Sequence, residues 1–155
     1  MAAQLNYNYS TPKGVPGGKF DLADDVVASR INEEASGVLK FGVAVAQGAS
    51  VNTGVKLPTA ASSKIVGVVL ANANTEQDKD GKVIVEKGRT VGVLTHGHIW
   101  GRTATDVTPV YGAKAYVVAS GAEAGYFTTS STGTIDINAK FGNVTDEGIA
   151  VIELA

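Results

Sequence analysis

The chain has 155 residues, a formal charge of −2 and no cysteine. That is enough for one domain with a proper core, but it excludes disulfide scaffolds and thiol chemistry. It also gives no basic footprint for nucleic acid. Charged residues are 18% of the chain, against roughly 25% in average globular proteins, while glycine is abundant at 19 residues. Such a composition suits a turn-rich β domain, or one made to lie against other proteins.

The first residues, MAAQLNYNYSTPKG, lack a basic stretch followed by an apolar one and do not read as a signal peptide. No apolar run approaches the ~18 residues that would span a bilayer. No run of four or more Lys and Arg invites a membrane surface. A soluble protein with no membrane and no nucleic-acid partner is expected. Residues 1–20 read as an extended arm, and residues 21–155 as a single β-rich domain. Within the arm, Tyr7 and Tyr9 alternate with asparagines, a pattern suited to a strand added to a partner's sheet edge.

After Asp21 come short β-type runs split by turn residues. VVASRI (26–31), VLKFGVAVA (38–46) and KIVGVVLA (64–71) lead. KVIVE (82–86), RTVGVLTHGHIWG (89–101), AKAYVVA (113–119), GYFTTS (125–130), GTIDI (133–137) and GIAVIEL (148–154) follow. Val, Ile, Tyr and Thr dominate them, and Gly, Asn, Asp and Ser punctuate them at short intervals, as in a sandwich or barrel. INEEASGVLKFG has room for a helical turn or two at most. DKDG (78–81) lacks the closing Glu of a calcium loop, since Arg89 stands at the twelfth position, and reads as a hairpin turn. The glycines of the Gly-Val pairs at 42, 67 and 92 mark bulges or close backbone approaches.

VGVLTHGHIWG carries both histidines. Strict strand alternation places Leu94, His96, His98 and Trp100 on one face and Val91, Val93, Thr95 and Ile99 on the other. A cupin-like metal site on His96 and His98 needs at least a third protein ligand. There is no third histidine, and the nearest carboxylates, Asp106 and Glu86, have no recognised metal spacing. Nucleophile-elbow, phosphate-loop and dinucleotide motifs are absent. The carboxylate pairs Asp24-Asp25 and Glu33-Glu34 read as solvated turn charges rather than as glycosidase acids. No catalytic, metal or cofactor residue is assigned, and a binding or structural module is expected rather than an enzyme.

The order of segments is more specific than any one of them. FGVAV, IVGVV, the V-x-x-x-G-x-I-W strand, PVYGAKAYV and the closing G-x-A-V-I-x-L succeed one another from about Gly14 to Leu154. This succession resembles the structural cement, or head decoration, proteins of tailed bacteriophages. The resemblance implies a compact all-β barrel or sandwich-like domain on the outer surface of the capsid in the virion. It implies a homotrimer bound to the major capsid protein, stabilising an expanded head against internal DNA pressure. It carries no catalytic residues, and the two histidines depart from the family's pattern. On this reading Tyr7, Tyr9, Pro12 and Pro16 are the capsid contacts, and His96, His98 and Trp100 a subunit interface. The alternative is a carbohydrate-binding or adhesive module stacking sugars on Trp100, Tyr111 or Tyr126; the cupin-like metal site comes third.

Overall fold

The computed structural model describes residues 14–72 and 76–155, which contain strands and turns and no helix. None of the described elements is therefore a helix long and apolar enough to cross a membrane. The nine strands are β1 (Val26–Asn32), β2 (Ala44–Gln47), β3 (Gly54–Lys56), β4 (Ile65–Val69), β5 (Thr90–Arg102), β6 (Lys114–Val118), β7 (Phe127–Thr128), β8 (Thr134–Asp146) and β9 (Ile149–Leu154). They follow one another in the order β1-β3-β2-β4-β5-β9-β8-β6-β7, and β1 also pairs with β5. That additional pairing closes the first five strands of the order into a barrel. The other four extend from the far end of β5 as a second sheet, so the all-β expectation holds.

Two packed layers follow from side-chain alternation. Val45, Val55, Val69, Val91 and Val93 fill the barrel, together with Leu39, Val43 and Val85. Their chain neighbours Ala44, Val68 and Leu94 point the other way. There they join Ile99, Val117, Phe127, Phe141 and Ile152 of the second sheet in the larger core. The part of the barrel wall formed by β2 and β4 is thus buried on both faces, which is why FGVAVA and IVGVVL read as unbroken apolar runs rather than alternating ones.

β5 serves both sheets. Its first half pairs with β1 and β4, and residues 97–102 pair with β9. Between the halves its alternation reverses. The β1 register passes from Val27↔Leu94 to Val26↔His96, leaving Thr95 as an extra residue. Gly97 then adopts φ 117°. A bulge moves every later side chain to the opposite face. So Leu94 shares a core with Ile99, not a surface with the histidines, and the face assignment from strict alternation is corrected.

Other sequence readings are corrected too. KVIVE is extended but is not a strand; it makes only an isolated bridge, Gln77↔Val83. Residues 38–42, expected within a strand, form a turn ahead of β2, and INEEASG holds turns rather than helix. GTIDI is only the start of β8, which continues through NAKFGNVTD, and the three-residue β3 was not among the expected strands. DKDG is a turn as expected. Asp78 Oδ1 accepts from the backbone N–H groups of Asp80 and Lys82, each at 2.9 Å.

A methyl group on Gly97 would lie 2.9 Å from Asp25 Cβ in a backbone region L-residues avoid. On Gly92 it would meet nothing closer than 3.4 Å. We expect Gly97→Ala to destabilise the protein by about 2 kcal/mol and Gly92→Ala to be near neutral. Urea denaturation of the two variants beside the parent checks this.

Candidate functional site

The second half of β5 is where the described chain begins. Gly14–Phe20 lies along its free edge, opposite β9. Gly17 N–H donates to Trp100 O at 2.7 Å, Trp100 N–H to Gly18 O at 2.9 Å, and Phe20 N–H to His98 O at 3.1 Å. Lys19 bridges Ile99 in antiparallel fashion. Gly17 O also accepts from Ala71 N–H at 2.8 Å, so the segment is tied to the chain that leaves β4 as well.

Trp100 sits beneath this segment. Its backbone pairs with Val151, and its ring forms a small cluster with Ile149, Val151 and the half-buried Val144. Phe20 meets the indole edge-on, with ring centroids 5.8 Å apart. Gly14 approaches the indole so closely that a Cβ there would stand 2.0 Å from a ring carbon. The indole is 6% exposed as a result, covered by its own chain.

The histidines diverge. His96 is exposed on the rim of the barrel. The His98 ring, about one-third exposed, places Nδ1 2.6 Å from Asp21 Oδ2. That hydrogen bond is the main reason the Asp21 carboxyl is held below the usual carboxylate range, helped by the Ala23 N–H. Lys19 and Asp25 form an ion pair beside it. Asp21 had no role in the sequence reading, because 77 positions separate it from His98. No group of three or more His, Cys, Asp or Glu among the described residues could hold a metal ion.

Of the sequence-derived contact residues, Tyr7, Tyr9 and Pro12 lie outside the described residues. Pro16 is half-buried in the turn before Gly17, within the docked segment. Tyr111 is exposed and Tyr126 half-buried. The Tyr126 hydroxyl lies 3.4 Å from the Lys40 ammonium.

A second carboxylate also proves structural. Glu33 accepts from the Ala49 and Ser50 N–H groups at 2.6 and 2.9 Å, in a space left by Gly48 and Gly54, where any Cβ would meet its carboxylate. Glu34 accepts from Leu57 N–H at 2.9 Å. These carboxylates clasp the β2–β3 turn to the end of β1 and are not merely solvated charges. The two backbone donors hold the Glu33 carboxyl below its ordinary value.

With this geometry in view, comparison with known proteins decides the family. The family model of the structural cement protein (E217 gp24/Pam3 gp6) matches residues 3–155. The chain belongs to that family. It is a structural component of a phage capsid, located on the capsid in the virion, and not an enzyme. A chain of the solved capsid of Myoviridae Phage XM1 shares the fold, with a TM-score of 0.75 at 16% identity, over 99% of this chain and 98% of that one. No curated protein matches the sequence.

Both shifted carboxyls have a depressed folded value, so each contributes stability above the ordinary carboxylate range that is lost as pH falls through the lowered one. We expect the cement protein to lose stability on acidification below about pH 4, with Glu33→Gln less stable at neutral pH and less sensitive to acid. Thermal melts between pH 3 and 7 read both effects. We also expect Trp100→Ala to cost about 3–5 kcal/mol and to speed amide exchange at Gly17 and Phe20.

Proposed function

We propose that this cement protein decorates the outer surface of an expanded head, where it binds the major capsid protein as a homotrimer and resists internal DNA pressure. The observation that carries the reading is the family match from residue 3 to the C-terminus, which takes in the N-terminal arm as well as the barrel. Tyr7, Tyr9 and Pro12 are the proposed arm contacts, with Pro16 at the arm's root. The arm leaves the domain from a fixed point, because Gly14–Phe20 is stitched to β5. A tether anchored in that way loses less orientational freedom on docking than one hanging from a loose terminus. Three arms on one trimer would add their attachments through effective concentration.

His96 and His98 are the proposed subunit-facing residues, with Trp100 supporting that surface from beneath. The carbohydrate-binding alternative loses one of its three candidates, since a covered Trp100 offers no ring face to a sugar, and keeps the exposed Tyr111.

Co-sedimentation with expanded, undecorated heads, with unexpanded proheads as control, tests the function. Saturable binding to expanded heads alone is expected; binding to neither form would overturn the reading. Deleting residues 2–13 spares the docked Gly14–Phe20 segment. It should abolish head binding and leave the thermal melt unchanged. Sedimentation equilibrium should show a trimer, and a monomer at every concentration would remove the trimer.

A further inference from the structure

KVIVE, an apolar run of the sequence that did not become a strand, forms one wall of a groove. This cavity of about 440 Å³ lies between residues 36–41 and residues 82–85, with Arg102 also lining it. On its outer side the run is paired. Ile84 N–H donates to Glu76 O at 3.0 Å, and Asp78 N–H to Lys82 O at 2.9 Å. Lys87 N–H, just past the run, donates to Ser36 Oγ at 3.1 Å, and on the groove side one backbone bond crosses, from Gly37 N–H to Val85 O at 3.0 Å. Beyond it the two walls part. The N–H and C=O of Val83 then have no hydrogen-bond partner among the described residues. An open extended edge of this kind is a template for another strand. Val38 and Val83, both exposed, offer apolar contacts on its two lips.

The charge of the groove selects the occupant. Lys40, Lys82 and Arg102 line it, against a single carboxylate, Asp78. None of the three cations forms an ion pair with a described residue. Arg102 Nε is committed to Phe41 O at 2.9 Å, which fixes the guanidinium in the groove. Asp78 is already occupied by two backbone N–H groups of its own turn. The chain's own residues 1–13 contain a lysine and no acidic residue, so another copy's arm does not match this charge.

We propose that the groove between residues 36–41 and 82–85 is a second capsid contact, which receives an extended acidic segment of the capsid protein as a strand against Val83. Its acidic side chains meet Lys40, Lys82 and Arg102. The capsid assignment rests on the function proposed above; the groove's preference for an extended acidic peptide does not.

The test therefore has two arms. In the first, an alternating Val-Glu hexapeptide is titrated into the full-length protein and amide shifts are followed by NMR. Shifts confined to residues 36–41 and 82–85, lost in the Lys40→Glu/Lys82→Glu double variant, are expected. In the second, binding to expanded heads is compared for the parent, the double variant and Lys64→Glu, an exposed reversal outside the groove lining. The double variant should bind roughly tenfold more weakly, with a shallower salt dependence, while Lys64→Glu matches the parent and all three melt alike. Parent and double variant binding heads equally would overturn the groove as a capsid contact. Absence of peptide shifts in the groove would overturn it as a peptide site. Peptide shifts without head binding by the parent would keep the peptide site and remove the capsid reading.

Discussion

Everything in this molecule hangs on β5 and on the reversal within it. A single strand of 13 residues provides one stave of the barrel, then crosses to begin the second sheet. Alternation would point its core residues the wrong way in one of the two. The extra residue at Thr95 and the positive φ of Gly97 let Val91 and Val93 face the barrel interior while Leu94 and Ile99 face the space between the sheets. The same reversal leaves His96 on the exposed rim and turns Trp100 to the outer face of the second sheet. There the indole needs a cover, and Gly14–Phe20 supplies it.

The anchoring of the N-terminal segment is therefore a consequence of core packing. Burying an indole on an open sheet face requires an apolar lid, and Gly14, Phe20 and the neighbouring strands provide one. Main-chain bonds to Trp100 and His98 then fix the lid in register, and the His98–Asp21 and Lys19–Asp25 pairs secure the chain as it turns toward β1. The arm proposed to reach the capsid thus starts from a segment bonded to the second half of β5.

The barrel's closing seam has a different character. β1 and β3 pair in parallel over two residue pairs only, too few for a ladder to hold alone. Side chains complete it. Glu33 and Glu34 bind the β2–β3 turn and the chain after β3, Arg30 donates to Asn52 O, and the fully buried Asn32 bonds Glu86 O and Glu34 N–H. The Glu33-Glu34 pair looked like turn charge because the N–H groups it binds lie 16 to 23 residues away. Hydrogen-bond partners that distant leave no local periodicity to read.

By itself the sequence determined the class of the protein. β-branched runs split by turn residues gave the all-β architecture, the absent thiols and ligand sets spoke against chemistry, and segment order indicated the cement family. What lay beyond it was set by contacts across the chain. KVIVE has every local mark of a strand, yet among the described residues only Gly37 bonds its inner edge, at Val85. GVK (Gly54–Lys56) has few such marks and pairs on both sides as β3. Strand propensity measures how well side chains suit a half-buried pleated surface, whereas pairing depends on which edges the fold leaves within reach. The bulge in β5, the lid over Trp100 and the cationic groove at Val83 belong to that second kind of fact, because each is made by segments that meet only once the barrel has closed.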